Sequence, residues 1–290
     1  MSQPPRVLVI GPASKVGVHV VEQLVARGLT PRVGLRQPTA TAREDVIPVH
    51  FDFARPASFD AAVDGVDSLF VMWPPGAGAI KRSVLRLLEV ARAKGARRVV
   101  FLSVFGAGSL RFLPHAQVER WLARSELEYT ILRAGYFMQN LSATHRQDVV
   151  ERAEVFVPAG RGHLALIDTR DVAAVAVKAM LEPGHARAIY ELTGGESLDF
   201  YEVAAIMSAA LGRPIVYRAP SLWSFARRWR GRALSPGMIA FMALEYAFTR
   251  LDRSGRVTGD VARVLGRPPL RFRQFVEDHR ARWADVQPSR

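Results

Sequence analysis

The sequence contains no cysteine, few lysines and no long apolar run. The absence of cysteine excludes a disulfide framework, a thiolate metal site and a cysteine nucleophile, and it fits the reducing cytoplasm in which we expect the protein. The most apolar stretch, "PGMIAFMALEYAF", is too short to span a membrane and contains Glu245. The first residues, "MSQPP", lack the basic-then-apolar pattern of a signal peptide. We therefore expect a soluble protein without a membrane partner.

Acidic residues are also scarce relative to basic ones. The 290 residues include 40 Lys and Arg against 27 Asp and Glu, which gives a net charge of +13. Such a chain could bind nucleic acid or an anionic surface, and the run "RRWRGR" over residues 227–232 could hold phosphates. No helix-turn-helix, zinc or RNA-binding signature accompanies the run. We therefore favour a solvated arginine-rich surface and expect no specific nucleic-acid partner.

Short apolar runs alternate with helical patterns through the first half of the chain. The strand-like runs are "RVLVIG", "PRVGLR", "VIPVHFD", "SLFVMW", "RRVVFLS" and "EYTILRAG". Stretches such as "VGVHVVEQLVARG" and "RSVLRLLEVARAKG" between them have apolar residues at helical spacing and end in glycine. This alternation predicts an α/β fold, a Rossmann-type doubly wound parallel sheet with helices on both faces.

The rhythm changes after Gly135. The segment "YFMQNLSATHRQDVVERAE" has a helical pattern, "AIYELTGG" is typical of a strand, and "DFYEVAAIMSAALG" predicts an amphipathic helix that ends at Gly212. From Pro220 onward the pattern is mostly helical. We expect a Rossmann core over residues 1–135. Residues 136–290 are expected to supply the remaining sheet elements and a small, mostly helical substrate-side domain, interleaved without a clean linker.

The stretch "VLVIGPASKVG" has the form of a dinucleotide-binding turn between a strand and a helix. Gly11 can form the sharp turn and Gly17 lets the helix pack against the strand, but serine stands where a middle glycine is expected. Ser14 is small, and its hydroxyl can donate to a phosphate oxygen. Lys15 adds a cation, and Val16 belongs to the same turn. We expect these residues to bind the pyrophosphate of the cofactor.

The residue that follows the second predicted strand indicates which nicotinamide cofactor binds. An acidic residue there would hold a ribose 2′-hydroxyl, whereas Arg36 accommodates a 2′-phosphate, and no Asp or Glu occurs between Glu22 and Glu44. The expected cofactor is therefore NADP(H). Further cofactor contacts are expected after the third strand, near the adenine, and after the fourth strand, near the nicotinamide: Asp52, Phe53, Met72, Trp73 and Pro74.

The chain resembles the NmrA-like, atypical branch of the short-chain dehydrogenase/reductase superfamily. The resemblance covers nearly the whole length and is carried by "VLVIGPASKVG", "VVFLSVFGAG", "HAQVERWLARSELEYTILRAGYFMQNL", "LIDTRDVAAVA" and "YELTGGESLDFYEVAAIMSAALGRP". The tail "VTGDVARVLGRPPLRFRQFVEDH" is similar to festuclavine-dehydrogenase-like reductases. The resemblance implies a Rossmann domain, a small C-terminal domain and a substrate cleft between them. Members include quinone, imine and enone reductases and redox-sensing regulators that bind NADP without turnover.

One departure from the superfamily concerns its catalytic pair. Typical members use Tyr-x-x-x-Lys, and no tyrosine here has a lysine four residues later. Near the expected position stand His115 and Glu119. His115 is the best candidate for a proton or hydrogen-bond donor, although it could equally hold the cofactor. Ser103, after the fifth strand, is a second catalytic and cofactor-binding candidate that could instead only cap a loop.

Several aromatic and polar residues are expected to line the substrate pocket: Phe105, Tyr136, Phe137 and Asn140. For Phe137, packing in the core is the stronger alternative. His145 and His163 lack carboxylate or cysteine partners at ligand spacing, so no metal is expected. A Gly-x-Ser-x-Gly hydrolase elbow and Walker motifs are also missing.

These observations favour an NADPH-dependent reductase of a conjugated small molecule such as a quinone, enone or imine, with a tailoring role in secondary metabolism. Two alternatives remain open at this stage. The first is a non-catalytic NADP(H) sensor that controls a protein partner, and the second is a cofactor-bound cyclase or isomerase. A homodimer is also compatible with the sequence.

Overall fold

The computed structural model describes residues 5–40, 43–72, 80–110, 113–232, 234–251 and 254–284. Its strands are β1 (Val7–Ile10), β2 (Arg32–Leu35), β3 (Ile47–His50), β4 (Ser68–Met72), β5 (Arg98–Val104), β6 (Glu128–Ala134), β7 (Glu154–Phe156), β8 (Ala188–Leu192) and β9 (Val216–Arg218). Its α-helices are α1 (Gly17–Ala26), α2 (Phe59–Val63), α3 (Ile80–Ala93), α4 (Pro114–Arg124), α5 (Gln139–Ser142), α6 (Arg146–Arg152), α7 (Thr169–Leu181), α8 (Phe200–Leu211), α9 (Leu222–Arg230), α10 (Pro236–Arg250), α11 (Asp260–Leu265) and α12 (Phe272–Asp278).

The chain divides into two compact units. The first comprises Met1–Ala134 and Thr169–Leu192, and the second comprises Gly135–Asp168 and Thr193–Arg290. Helix α7 and strand β8 thus belong to the first unit although they follow the expected boundary at residue 135. Among the described residues, no helix has both the length and the apolar character needed to cross a bilayer.

The first unit is built on a seven-stranded parallel sheet in the order β3-β2-β1-β4-β5-β6-β8. All four residues of β1 are buried, as expected for a strand covered on both faces. The strand order reverses between β1 and β4, which is the switch point where doubly wound sheets bind ligands at the carboxyl ends of their strands. The predicted Rossmann-type fold and its first six strands are confirmed.

The second unit is mostly helical and has its own apolar core. Its largest fully buried side chains are Phe200, Phe225, Tyr246, Phe272, Phe275 and Trp283. Strands β7 and β9 form a short parallel pair. Helix α8 begins with a capping box between Asp199 and Glu202 and ends at Gly212, whose φ of 69° is left-handed, so both predicted ends of this helix are confirmed.

The helical prediction for the segment after Gly135 is only partly correct. The structure has two short helices there, α5 and α6, instead of one long helix. The break occurs at Ala143, whose φ and ψ of −123° and −78° are not helical, and the His145 amide turns back to the Asn140 carbonyl at 2.9 Å. Helix periodicity in the sequence continued through this break and therefore could not reveal it.

Candidate functional site

The turn after β1 is shaped by the absence of a side chain at Gly11. This residue has a φ of 75°, which only glycine adopts readily, and a Cβ there would lie 2.7 Å from the Sδ of Met72. Met72 is the last residue of β4, the strand beside β1 on the other side of the switch point. The predicted turn residue and one predicted strand-end residue are therefore neighbours.

Gly17 starts α1 against the same turn. A Cβ at Gly17 would overlap the carbonyl oxygen of Gly11 and would lie 2.8 Å from the Ser14 Oγ. The helix can therefore begin this close to β1 only with glycine at this position. The amino end of α1, where backbone N–H groups and the helix dipole favour anions, is held directly beside the carboxyl end of β1.

Ser14 completes the turn with its own hydrogen bonds. Its amide donates to the Gly11 carbonyl at 3.0 Å, and its Oγ accepts from the Gly17 amide at 2.9 Å. Since the hydroxyl oxygen acts as an acceptor here, its proton can be donated to an anion. Lys15 is partly buried and Val16 is buried, and the Val16 amide has no acceptor among the residues that the structure describes.

Other predicted cofactor contacts lie at the ends of β2 and β3. Arg36 is exposed and directly follows β2. Asp52 follows β3 and accepts a hydrogen bond from the Ala54 amide at 2.9 Å, which fixes the turn locally. Phe53 packs edge-on against Phe51, with ring centroids 4.8 Å apart. The two remaining predictions, Trp73 and Pro74, lie outside the described residues.

Ser103 is the next-to-last residue of β5 and is only 2% exposed. Its hydroxyl donates to the Glu119 Oε1 of α4 at 2.6 Å. Glu119 is itself buried and also accepts from Arg133 of β6, whose Nη2 lies 2.7 Å from its Oε2. The hydroxyl of Ser103 therefore donates into a buried charged network.

His115 lies one helical turn before Glu119 on α4 and is partly buried. Burial lowers its pKa to about 4, and the Glu119 carboxylate opposes this effect only in part. The imidazole is therefore neutral at pH 7, and a neutral imidazole can donate one hydrogen bond without carrying a charge. Its ring centroid lies 6.2 Å from that of Phe101, which points from β5 toward α4.

The residues expected to line a substrate pocket fall in both units. In the first unit, Phe105 follows β5 and its amide donates to the Ala134 carbonyl at 2.9 Å. In the second unit, Phe137 and Asn140 are partly buried, whereas Tyr136 is 5% exposed. The Asn140 amide donates to the Phe137 carbonyl at 2.9 Å and closes a turn between these two residues.

The hydroxyl of Tyr136 belongs to a buried chain of polar groups in the second unit. It lies 2.8 Å from the Tyr246 hydroxyl, which in turn lies 2.6 Å from the Nε2 of His145. Burial raises the pKa of Tyr136 and that of Tyr246 well above the ordinary value. Both phenols therefore stay protonated at neutral pH, and they join α10 to the segment that contains α5.

Sequence comparison identifies the family to which the chain belongs. A family model described as NAD(P)H-binding matches residues 11–183, a span that begins at the first glycine of the turn. The chain belongs to this NAD(P)H-binding family. The turn fits the cofactor on structural grounds as well, because glycines occupy the two positions without room for a Cβ, and within the described part of the chain the Val16 amide at the start of α1 has no acceptor.

Relatives of this NAD(P)H-binding protein include oxidoreductases. The chain is 33% identical over 286 residues to an NAD(P)H azoreductase of Xenophilus azovorans, covering 95% of this chain and 98% of the relative. It is 29% identical over 248 residues to a festuclavine dehydrogenase of Aspergillus fumigatus, covering 81% and 84%. The predicted resemblance to festuclavine-dehydrogenase-like, NAD(P)H-dependent reductases is confirmed.

A solved structure supports the fold of the NAD(P)H-binding protein. The NADPH-dependent quinone oxidoreductase of Escherichia coli, in complex with NADPH, superposes with a TM-score of 0.83 at 22% identity. The match covers 94% of this chain and 99% of that one. At this identity the match shows the fold.

Two arginines of the basic run over residues 227–232 of this NAD(P)H-binding protein form internal ion pairs. Asp148, which is 0% exposed, accepts from Arg228 at 3.2 Å and from Arg232 at 2.6 Å. The Arg228 guanidinium also pairs with Glu154. These two arginines of the run are therefore bound within the second unit. Among the described residues, no group of three or more His, Asp or Glu could hold a metal ion.

Two members of the Glu119 network were not among the sequence-based candidates. Arg133 and Glu191 lie 3.6 Å apart, on adjacent strands of the NAD(P)H-binding unit. Each is a charged residue near the carboxyl end of its strand, "EYTILRA" for Arg133 and "AIYEL" for Glu191. A charged residue inside a predicted buried strand was the signal that could have identified them, because buried charges need partners.

Proposed function

We propose that this protein is an NADPH-dependent reductase of conjugated small molecules, such as quinones, azo compounds, enones or imines, that works without a Tyr-x-x-x-Lys pair. The observation that carries the proposal is the turn from Gly11 to Gly17, which has glycine where a Cβ has no room and a Val16 amide with no acceptor among the described residues. The azoreductase and festuclavine dehydrogenase relatives support the substrate class.

In this proposal the cofactor is bound by three elements of the first unit. The Val16 amide and the Ser14 hydroxyl donate to the pyrophosphate at the amino end of α1, and Lys15 adds positive charge. Arg36 selects the 2′-phosphate, because a guanidinium forms charge-assisted bonds with a phosphate that an unmodified ribose cannot offer. Asp52 and Phe53 contact the adenine of the cofactor, and Met72 contacts its nicotinamide.

When bound, NADPH would supply a hydride, and a two-electron reduction would then also need one proton for the product. Conjugated acceptors spread the developing negative charge, and they need less assistance from an acid than an isolated ketone does. His115 serves in this proposal as a neutral hydrogen-bond donor to that charge, since its pKa of about 4 leaves few charged molecules at pH 7. Water then supplies the proton.

Phe105, Phe137 and Asn140 are proposed to contact the substrate. The role of Tyr136 is different because its hydroxyl is bound to Tyr246 and its side chain is 5% exposed. We assign Tyr136 to holding α10 in place within the second unit. Ser103 is likewise assigned to support rather than to catalysis, because its hydroxyl is bound to Glu119.

The test is a turnover screen of the purified protein with NADPH and panels of quinones, azo compounds, enones and imines. We expect NADPH consumption with at least one class, and His115→Ala should lower kcat about a hundredfold with little change in NADPH affinity. His279→Ala is the matched control, because this histidine caps α12 through a bond to the Phe275 carbonyl and should leave kcat unchanged.

The alternatives predict other outcomes of the same screen. Tight NADPH binding without turnover on any panel would favour a sensor of the cofactor. Conversion of a substrate without net NADPH consumption would favour a cyclase or isomerase. A large loss of NADPH affinity in His115→Ala, with kcat preserved, would make His115 a cofactor ligand and contradict its proposed role.

A further inference from the structure

A row of polar residues crosses the sheet of the first unit near the carboxyl ends of three neighbouring strands. Ser103 of β5 is in register with Arg133 of β6, which is in register with Glu191 of β8. Register partners in a parallel sheet point to the same face. The three side chains therefore form a line beneath α4.

Glu119 descends from α4 onto this line. Its Oε1 accepts from the Ser103 hydroxyl at 2.6 Å, and its Oε2 accepts from the Arg133 Nη2 at 2.7 Å, while the Nε of Arg133 lies within 3.3 Å of both oxygens. The Glu119 side chain is 8% exposed and that of Arg133 is 16% exposed. A carboxylate buried this deeply persists only because its oxygens are occupied by donors.

The same network reaches the segment that connects β5 to α4. A Cβ at Gly108 would lie 2.5 Å from the Nη1 of Arg133, so the backbone of this segment rests on the guanidinium. His115 lies in the first turns of α4, four residues before Glu119 and therefore on the same face of the helix. The place and orientation of the imidazole thus depend on where Glu119 anchors the helix.

We propose that Glu119 is a positioning residue for His115, holding α4 to β5 and β6 through Ser103 and Arg133. This inference rests on the proposed function. In it, His115 contacts the substrate and Glu119, one helical turn later, holds His115 in position.

The competing explanation is that Glu119 only contributes to overall stability. The two explanations differ in how substitutions combine. If Glu119 acts through His115, then Glu119→Gln should cost little in a protein that already carries His115→Ala. If Glu119 only stabilises the fold, its effect on kcat should be the same with or without His115.

The experiment compares Glu119→Gln with Glu128→Gln as a matched control. Glu128 pairs with Arg98 across the same two strands at their amino ends, with 3.3 Å between Nη2 and Oε2. We expect Glu119→Gln to lower kcat about tenfold with the NADPH Kd changed less than twofold, and to lower it less than twofold in the His115→Ala background. Glu128→Gln should leave kcat unchanged. Equal losses in both backgrounds would overturn the proposal.

A second readout needs no turnover and separates this proposal from the proposed function. The imidazole ¹⁵N signals of His115, measured by NMR in the NADPH-bound protein, should shift in Glu119→Gln and stay in place in Glu128→Gln. Unchanged ¹⁵N signals would overturn the positioning role whatever the activity. If Glu119→Gln does not fold, Ser103→Ala removes one bond to the carboxylate while keeping the ion pair, and it should shift the same signals in the same direction; signals that stay in place would again overturn it.

Discussion

The Ser14 Oγ lies 2.9 Å from the Gly17 amide nitrogen and accepts its hydrogen bond, so the serine that replaces a glycine in the dinucleotide turn closes the start of α1. Ser14→Ala should therefore lower the free energy of unfolding by about 1 kcal/mol, the usual cost of a lost cap. It should also weaken NADPH binding. Ser14→Glu, which adds charge and bulk at the pyrophosphate, should weaken both NADPH and NADH. Chemical denaturation and cofactor titration measure the two effects.

Ser221→Ala is the control for the Ser14 variants. Ser221 caps α9 in the second unit by accepting from the Ser224 amide at 3.1 Å. It should lose a comparable amount of stability without any change in the NADPH Kd. A Ser14→Ala protein that binds NADPH as tightly as wild type would show that its hydroxyl does not contact the cofactor.

Gly17→Ala should destabilise the protein by about 3 kcal/mol, because the added methyl would overlap the Gly11 carbonyl oxygen and force α1 away from β1. NADPH binding should fall with it. Gly237→Ala provides the contrast, since nothing lies within 4 Å of a Cβ at that position of α10. Alanine favours the helix there and should raise stability by about 0.5–1 kcal/mol. Thermal unfolding should show a lower Tm for Gly17→Ala and a higher Tm for Gly237→Ala than for the wild-type protein.

Arg36→Ala should remove most of the preference for NADPH over NADH. Losing a charge-assisted bond to the 2′-phosphate should cost about 1.5–3 kcal/mol, which is roughly ten- to a hundredfold in Kd, while NADH binding changes little. Arg97→Ala, an arginine 77% exposed at the amino end of β5, should change neither affinity. Equal affinities of the wild-type protein for the two cofactors would refute the assignment of Arg36.

The lowered pKa of His115 makes a prediction about pH. Because the folded protein holds the imidazole neutral down to about pH 4 while the unfolded chain takes up a proton near 6.5, this group stabilises the fold fully above pH 6.5. That contribution is lost as the pH falls from about 6.5 to 4. The wild-type unfolding free energy should therefore decrease more steeply across this interval than that of His115→Gln. Identical slopes would mean that the imidazole is not buried as described.

Asp148→Asn should lower the unfolding free energy by about 3 kcal/mol. The Asp148 side chain is 0% exposed, and its substitution leaves Arg228 and Arg232 without the carboxylate that they share. Asp45→Asn breaks the exposed pair with Arg43, whose side chains are 41% and 44% exposed, and should cost less than about 1 kcal/mol. Urea denaturation of both proteins measures the contrast, and similar costs would contradict the internal role of the basic run.

Most of the first unit could be predicted because its signals are local. A buried strand such as β1 is a short apolar run, and the Gly11 and Gly17 positions follow from the needs of a single turn. The cap and the glycine end of α8 are likewise encoded in a few neighbouring residues. Such features need no knowledge of what packs against them.

The remaining features depend on residues distant in sequence. The place of Ser103 at a strand end makes it a catalytic candidate, and only the three-dimensional structure reveals that its hydroxyl donates to Glu119 of α4, 16 residues later. The basic run suggested phosphate binding, and its pairing with Asp148 spans 84 residues. The helical pattern around Ala143 gave no sign of the break between α5 and α6. Whether the Phe105, Phe137 and Asn140 positions contact substrate remains a prediction for the turnover assay.

The line of Ser103, Arg133 and Glu191 has a further consequence for how the sheet is assembled. Side chains alternate between the two faces of a strand, so a shift of β6 by one residue would turn Arg133 to the opposite face. Glu119 would then stay buried without its ion pair to Arg133, and Glu191 would lose its partner as well. Apolar residues of similar size tolerate a slipped strand, whereas this charge arrangement does not. The polar row thus favours the observed register of β5, β6 and β8 over a register shifted by one residue.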